Sequence, residues 1–245
     1  TQRSKALKLV QTKARVALSG TPVENHVGEL WNLFDILNPG LLGTKAHFQK
    51  TYALPIERSD SQALLMLREK IRPFILRRLR RQVLKELPAS QELMVYLDMN
   101  AQEHDIYNAC RYQVSKNLKK YDRKTRKKNK IEILAEITRL RKLAANFELS
   151  ELLEGKSSKT TAIINKLLEL KENEHKTLVF SQFVSHLDLI ASYLDETELS
   201  YSRIDGRMNP QKRTAAVKKF EDYKCDIMLI SLKAGGFGLN LTAAD

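Results

Sequence analysis

Residues 176–231 read KTLVFSQFVSHLDLIASYLDETELSYSRIDGRMNPQKRTAAVKKFEDYKCDIMLIS. Three short apolar runs stand out: Thr177-Leu178-Val179-Phe180, Tyr201 to Ile204, and Asp226-Ile227-Met228-Leu229-Ile230. Each reads as a strand. Between them, Val184 to Leu194 and the stretch from Asn209 to Phe220 read as helices; Asn209 caps the second and Pro210 sits in its first turn. Parallel strands need crossover connections, and helices in this alternation supply them. The expected fold class is therefore α/β, built on a parallel sheet.

In open parallel sheets, ligands gather beyond the carboxyl ends of the strands. The first strand delivers Ser181-Gln182 there and the second Asp205-Gly206-Arg207. The third leads into Ser231-Leu232-Lys233-Ala234-Gly235-Gly236-Phe237-Gly238-Leu239-Asn240. Glycine lets backbone approach closely, exposed N–H groups bind oxygens, and Lys233 adds positive charge. A phosphate site on this edge is the functional reading; a plain turn after a strand is the other. Gly236-x-Gly238 fails the dinucleotide fingerprint, because Leu241 stands at the third glycine position. That speaks against a small-molecule transferase. No G-x-x-x-x-G-K-[S/T] loop occurs anywhere in the chain.

Upstream, Arg15 to Ser19 predicts a strand stopped at Gly20-Thr21-Pro22. Leu30, Trp31, Phe34 and Leu37 then keep helical spacing until Asn38-Pro39-Gly40, and Trp31 reads as core. A further helical stretch spans about Ser61 to Leu76, disturbed at Arg72-Pro73, and leads into the arginine pairs Arg77-Arg78 and Arg80-Arg81. Those pairs admit two readings, a DNA-facing surface or the solvated face of a helix carrying Phe74, Leu79, Val83 and Leu87. Glu92 to Asp98 alternates like a strand, and helices are expected over about Ala101 to Leu118, Ile131 to Asn146 and Thr160 to Leu170. Lys116 to Lys130 holds nine Lys/Arg against one acid, Asp122, and reads as a solvated extension or loop, or as a contact for DNA phosphates.

The 245 residues are 42% hydrophobic and 29% charged, ordinary for a globular chain. No apolar run reaches the about 18 residues of a membrane span, and Thr1 to Leu9 lacks the features of a secretory signal. Cys110 and Cys225 stand far apart without a zinc pattern, so two free thiols are expected. Forty-two Lys/Arg against 29 Asp/Glu give a net charge of +13, which favours a polyanionic partner, nucleic acid before membrane.

Several stretches carry a family resemblance. Leu18-Ser19-Gly20-Thr21-Pro22-Val23-Glu24-Asn25 resembles motif III of the SWI/SNF-type ATPases, and is followed as there by Glu29-Leu30-Trp31-Asn32-Leu33-Phe34 and Leu37-Asn38-Pro39-Gly40-Leu41-Leu42-Gly43. Pro73 to Pro88 resembles the arginine-rich helix before that family's second lobe, and Leu140-Arg141-Lys142-Leu143-Ala144 its later helical element. Lys176 to Phe183 is similar to motif IV, Ile204-Asp205-Gly206 with Arg213 to the next motif, and Ser231 to Asp245 to motif V.

The resemblance implies a RecA-like parallel-sheet lobe with helical protrusions, in three parts. Residues 1–27 would end the first lobe, 28–155 would form the protrusions and inter-lobe segment, and 156–245 would be a truncated second lobe. It implies part of an ATP-dependent translocase on double-stranded DNA that remodels protein–DNA complexes, with ATP and Mg²⁺ serving the complete motor. Gly20 and Thr21 would couple nucleotide state to DNA contact. Ser181, Gln182, Arg213, Ser231, Lys233 and Gly235 would grip the phosphate backbone, and Gly238 and Asn240 would approach the nucleotide. The Walker lysine, the metal-binding acidic motif and the arginine fingers have no counterpart here, and Glu103-His104-Asp105 is no substitute. The chain alone is expected to be inactive. The alternative reading is a basic nucleic-acid-binding module without ATP coupling. The form of motif V leans towards a prokaryotic member, placing the protein in the cytoplasm or at the nucleoid; a eukaryotic one would be nuclear.

Overall fold

The computed structural model describes the chain apart from residues 1, 24, 25, 79, 84–90, 120–128, 151, 153, 154, 198 and 236–238, and gives only the backbone of 2, 3, 5, 80 and 81. It forms two compact units, Thr1–Glu92 and Leu93–Asp245. In the second unit the helix Ala101–Lys119 packs on the helix Lys130–Ala145, and Glu103 of the former accepts from the Ser158 amide at the start of the helix that leads to the sheet.

In the first unit, α1 is Gln2–Leu9, α2 Gly28–Leu37, α3 Lys45–Phe48, α4 Leu54–Glu57, α5 Ser61–Ile71 and α6 Arg80–Val83. A π-helical turn, Gln49–Ala53, joins α3 to α4. The helical spacing in α2 buries Leu30 and Phe34 against Leu42, Phe48, Tyr52 and Leu67. Trp31 is half-buried on this core, its indole N–H donating to the Gly43 carbonyl at 3.0 Å. Asp60 starts α5 by accepting from the Gln62 and Ala63 amides.

Two strand expectations fail. Residues 15–19 and 92–98 form no strand, with Leu18 97% exposed and Leu93 83% exposed. Alternation prepares a chain for pairing, but without a neighbouring strand to ladder with, the backbone groups stay unpaired. The helix expected after Arg77 is reduced, among the described residues, to α6. Lys85 to Pro88 and residues 120–128 of the basic run lie outside the described residues.

The second unit contains α7 (Ala101–Lys119), α8 (Lys130–Ala145), α9 (Ser158–Glu172), β1 (Thr177–Ser181), α10 (Val184–Asp195), β2 (Tyr201–Ile204), α11 (Pro210–Glu221), β3 (Ile227–Ser231) and α12 (Leu232–Gly235). The sheet is parallel throughout, in the order β1-β3-β2. Central β3 is buried along its whole length, as its unbroken apolar run requires. Its alternate residues feed two cores. Ile227 and Leu229 pack with Leu167, Leu187, Ile190 and Leu194, while Met228 and Ile230 pack with Ile204, Ala216, Phe220 and Cys225. Helices thus cover both faces, the arrangement of a RecA-like lobe. Asn209 caps α11 by accepting from the Lys212 amide at 2.8 Å. Cys225 is a buried apolar filler whose thiol burial pushes up.

Candidate nucleic-acid interface

Register sets the strand ends flush. Ser181 lies opposite Ser231, and Ile204 opposite Ile230, so β1, β2 and β3 end on one edge. The two serines are turned inward there. Ser181 is 8% exposed; its hydroxyl oxygen accepts from the Phe183 amide at 3.2 Å and lies 3.3 Å from His186 Nδ1. Ser231 is 2% exposed and accepts from the Ala234 amide at 3.3 Å, which opens α12 where a glycine-rich loop was expected. Both hydroxyls serve the local backbone and so aim their neighbours, Gln182 and Lys233, which are exposed.

Gly235 closes α12 in tight quarters. A Cβ there would stand 2.5 Å from Ile230 Cγ2 and 3.4 Å from Phe180 Cε1, so only hydrogen fits. Arg213 lies in the first turn of α11, half-buried. Asn240 is exposed, whereas Gly238 lies outside the described residues. Gly20 and Thr21 belong to the first unit, both exposed, with the Thr21 amide donating to the Ser19 hydroxyl oxygen at 3.2 Å.

At the end of β2 the charges are paired. Arg203 reaches Asp188 at 2.7 Å through Nη1, and its Nε lies 2.8 Å from Asp205 Oδ2 without hydrogen-bond alignment. Arg207 Nη2 is 2.8 Å from both Asp188 and Asp205. The Arg207 guanidinium, hydrogen-bonded to each, outweighs desolvation and holds both carboxyls below the usual range. The Asp205 side chain is 3% exposed, so it is the buried pivot of this loop.

The end of β1 faces an open cleft of about 430 Å³, lined by Arg141, Lys159, Phe180, Gln182, Phe183 and His186 among others. Arg141 of α8 donates to Gln182 Oε1 at 2.5 Å, and Lys159 of α9 donates to the Ala144 carbonyl at 2.6 Å. Burial and then Lys159 push the His186 pKa down against a smaller pull from Glu148, which keeps the imidazole neutral near pH 7.

Two domain families match: the SNF2-related domain over residues 1–149 and the helicase conserved C-terminal domain over residues 158–245. The chain belongs to the SNF2 family of helicase-type ATPases. It is 33% identical over 245 residues to an uncharacterized ATP-dependent helicase of Mycoplasma genitalium, covering 99% of this chain and 23% of that protein. The chromodomain-helicase-DNA-binding protein 1-like of Mus musculus is 34% identical over 244 residues, covering 94% of this chain and 26% of that one. Among solved structures, the Sulfolobus solfataricus SWI2/SNF2 ATPase core in complex with dsDNA matches with a TM-score of 0.56 and 29% identity, over 100% of this chain and 53% of that one. The chain thus spans about a quarter of these curated relatives.

For this SNF2 chain, sequence reading missed Arg141, Lys159 and His186 as partners of the β1 end. The Arg141–Gln182 bond joins residues 41 apart, and an arginine on a helix reads as solvated until the fold brings α8 to the strand end. Glu103 also acquires a role. It is fully buried and accepts from the Asn100 amide at 2.9 Å and the Ser158 amide at 2.8 Å, capping both α7 and α9. Among the described residues, no group of three His, Cys, Asp or Glu could hold a metal ion.

Proposed function

We propose that the protein carrying this chain is an ATP-dependent translocase on duplex DNA, and that the second unit supplies part of its grip on the backbone. The observation that carries this reading is the shared edge, where all three strands of a RecA-like sheet end flush and lead into Ser181-Gln182, Asp205-Gly206-Arg207 and α12 with Lys233 and Gly235. The relative solved with dsDNA supports it, as does the net charge of +13.

In this reading Gln182, Arg213 and Lys233 hold phosphate oxygens, positioned by the inward-turned Ser181 and Ser231, while Gly235 permits close backbone approach. Phosphate contacts fix register without reading sequence, which is what a motor that must move along any sequence requires. Gly20 and Thr21 would relay nucleotide state, and Asn240 would lie near the nucleotide. Phosphoryl transfer needs a phosphate-binding lysine and a metal-binding acid. With no Walker loop in the 245 residues, the chain by itself is expected to show no turnover.

The test uses the full-length protein with labelled duplex over a salt series, and phosphate release with and without DNA. If this chain's edge neutralises about four phosphates, it contributes a slope near −3.6 in log affinity against log salt. Lys233→Glu should weaken binding roughly thirtyfold at 0.15 M salt, counting the reversal as two lost phosphate charges. The loss should be equal across DNA sequences and accompanied by lower DNA-stimulated ATPase. A folded Lys233→Glu protein with unchanged affinity and turnover would remove Lys233 from the grip. Salt-independent binding, or ATPase indifferent to duplex, would refute the reading itself.

A further inference from the structure

We infer that the cleft at the end of β1 is a seat for one backbone phosphate of the bound duplex, with Arg141 of α8 as its principal ligand. This rests on the duplex-DNA reading above and extends the grip from the strand-end loops to a helix that precedes the sheet in sequence.

The cleft, about 430 Å³, readily admits a phosphate group, and its lining residues bring two cations, Arg141 and Lys159, and no carboxylate. An anion entering there meets two cations that no carboxylate pairs with directly, unlike at the neighbouring β2 end, where Asp188 and Asp205 already hold the arginines. The Lys159 ammonium keeps one donor on the Ala144 carbonyl, leaving two of its three for other acceptors. Arg141 is exposed and, among the described residues, tied only to Gln182, a neutral acceptor that a charged phosphate oxygen outcompetes. The guanidinium has further N–H groups, so it can keep Gln182 in place while its fork takes two phosphate oxygens. The exchange joins the exposed Gln182 and the cleft into one continuous anion surface.

His186 supports the seat from beneath. It is 7% exposed, and its Nδ1 faces the Ser181 hydroxyl. That hydroxyl already accepts from Phe183, so its proton is free to go to Nδ1. The neutral ring then carries its own proton on Nε2, which has no hydrogen-bond partner in the structure. The buried ring thus adds no negative charge beneath the cleft, and its hydrogen bond with Ser181 fixes the floor on which Gln182 stands. Phe180 and Phe183 add apolar side chains to the lining.

The experiment measures duplex affinity of the full-length protein by fluorescence anisotropy over a salt series, on two unrelated DNA sequences. It compares the unaltered protein with Arg141→Ala and Arg141→Lys. Because Arg141 is exposed, both variants are expected to fold, which melting temperature checks. Arg141→Ala should lower the salt slope by about 0.9 and affinity about fivefold at 0.15 M salt, equally for both sequences. Arg141→Lys should restore the slope while recovering only part of the affinity, since it keeps the charge and loses the fork. Arg141→Ala with unchanged slope and affinity, against an unaltered protein that binds duplex, would overturn the phosphate seat and leave the translocase reading standing. Weaker binding at an unchanged slope would overturn it too, because Arg141 would then act only by orienting Gln182. Failure of the unaltered protein to bind duplex would refute both.

Discussion

At the end of β1, Arg141 and Lys159 border a cleft with no carboxylate in its lining. At the end of β2, on the same edge of the same sheet, Arg203 and Arg207 are clasped by Asp188 and Asp205. Similar numbers of positive groups therefore do opposite work. The first set is available to an external anion, whereas the second is spent on fixing its own loop. Counting Lys and Arg along a sequence cannot separate the two cases; the partners decide. The end of β3 is a third case, held by close packing of Gly235 rather than by charge.

The sharpest way to break the comparison is to remove the pivot of the β2 loop. Asp205→Asn deletes a carboxylate that is 3% exposed and leaves two guanidiniums without it, so a loss of about 3 kcal/mol is expected. Asp188→Asn touches the same arginines from a side chain that is 46% exposed, and should cost under about 1 kcal/mol. Urea midpoints of the two variants measured side by side give the test; equal losses would mean that burial does not set the difference. The pH dependence has a definite sign. Both carboxyls titrate below their unfolded value of about 3.9, so their contribution is complete above that pH. It fades as pH falls from there through the folded values. Asp205→Asn should therefore flatten the acid limb of stability below about pH 4 and leave the neutral range parallel to the parent.

Next in size is the packing that holds the β3 end against β1. Gly235→Ala places a methyl 2.5 Å from Ile230 Cγ2, and Ile230 is fully buried and cannot swing aside. A cost of about 2 kcal/mol is expected, with weaker duplex binding because Lys233 shares α12. A variant as stable as the parent would show that α12 moves away freely and that the edge is looser than its register implies.

The parts of this architecture legible in the sequence were those fixed locally. Apolar runs gave β1, β2 and β3, and Asn209-Pro210 marked the start of α11 because a side-chain cap and a proline act within one turn. Residues 15–19 and 92–98 carried strand-like patterns too, but a strand exists only where another chain segment completes its ladder, and pattern alone does not report that. Ser181 and Ser231 were placed on the correct edge by their position after strands, yet their inward turn depends on the Phe183 and Ala234 amides and could not be read from residue type. Arg141 was visible in a helical element that resembles one of the family's, with nothing to say what its side chain meets. Its meeting with Gln182 is a tertiary event, and so is the pairing of Arg207, in the turn after β2, with Asp188 of α10.

The smallest expected effect is the one that most directly sharpens the contrast between the two strand ends. Arg207 is 60% exposed on the DNA-facing edge of the proposed motor, and by charge alone it should rank with Arg141 as a phosphate ligand. Its guanidinium is already within 2.8 Å of two carboxylates, and the Asp205 carboxylate also accepts from the Arg207 amide at 2.8 Å. A phosphate approaching this loop therefore meets Asp188 and Asp205 along with Arg207, so little phosphate charge is neutralised and few of the cations condensed on the DNA are released. Arg207→Ala in the full-length protein should shift the salt slope of duplex binding by less than about 0.3, against about 0.9 for Arg141→Ala. Affinity at 0.15 M salt should change less than about twofold. Paired anisotropy titrations on the same duplex decide the matter, with a melting curve to separate binding from loop stability. If Arg207→Ala lowers the slope as much as Arg141→Ala, the carboxylates release Arg207 to the DNA, and the β2 end belongs to the grip rather than to the scaffold.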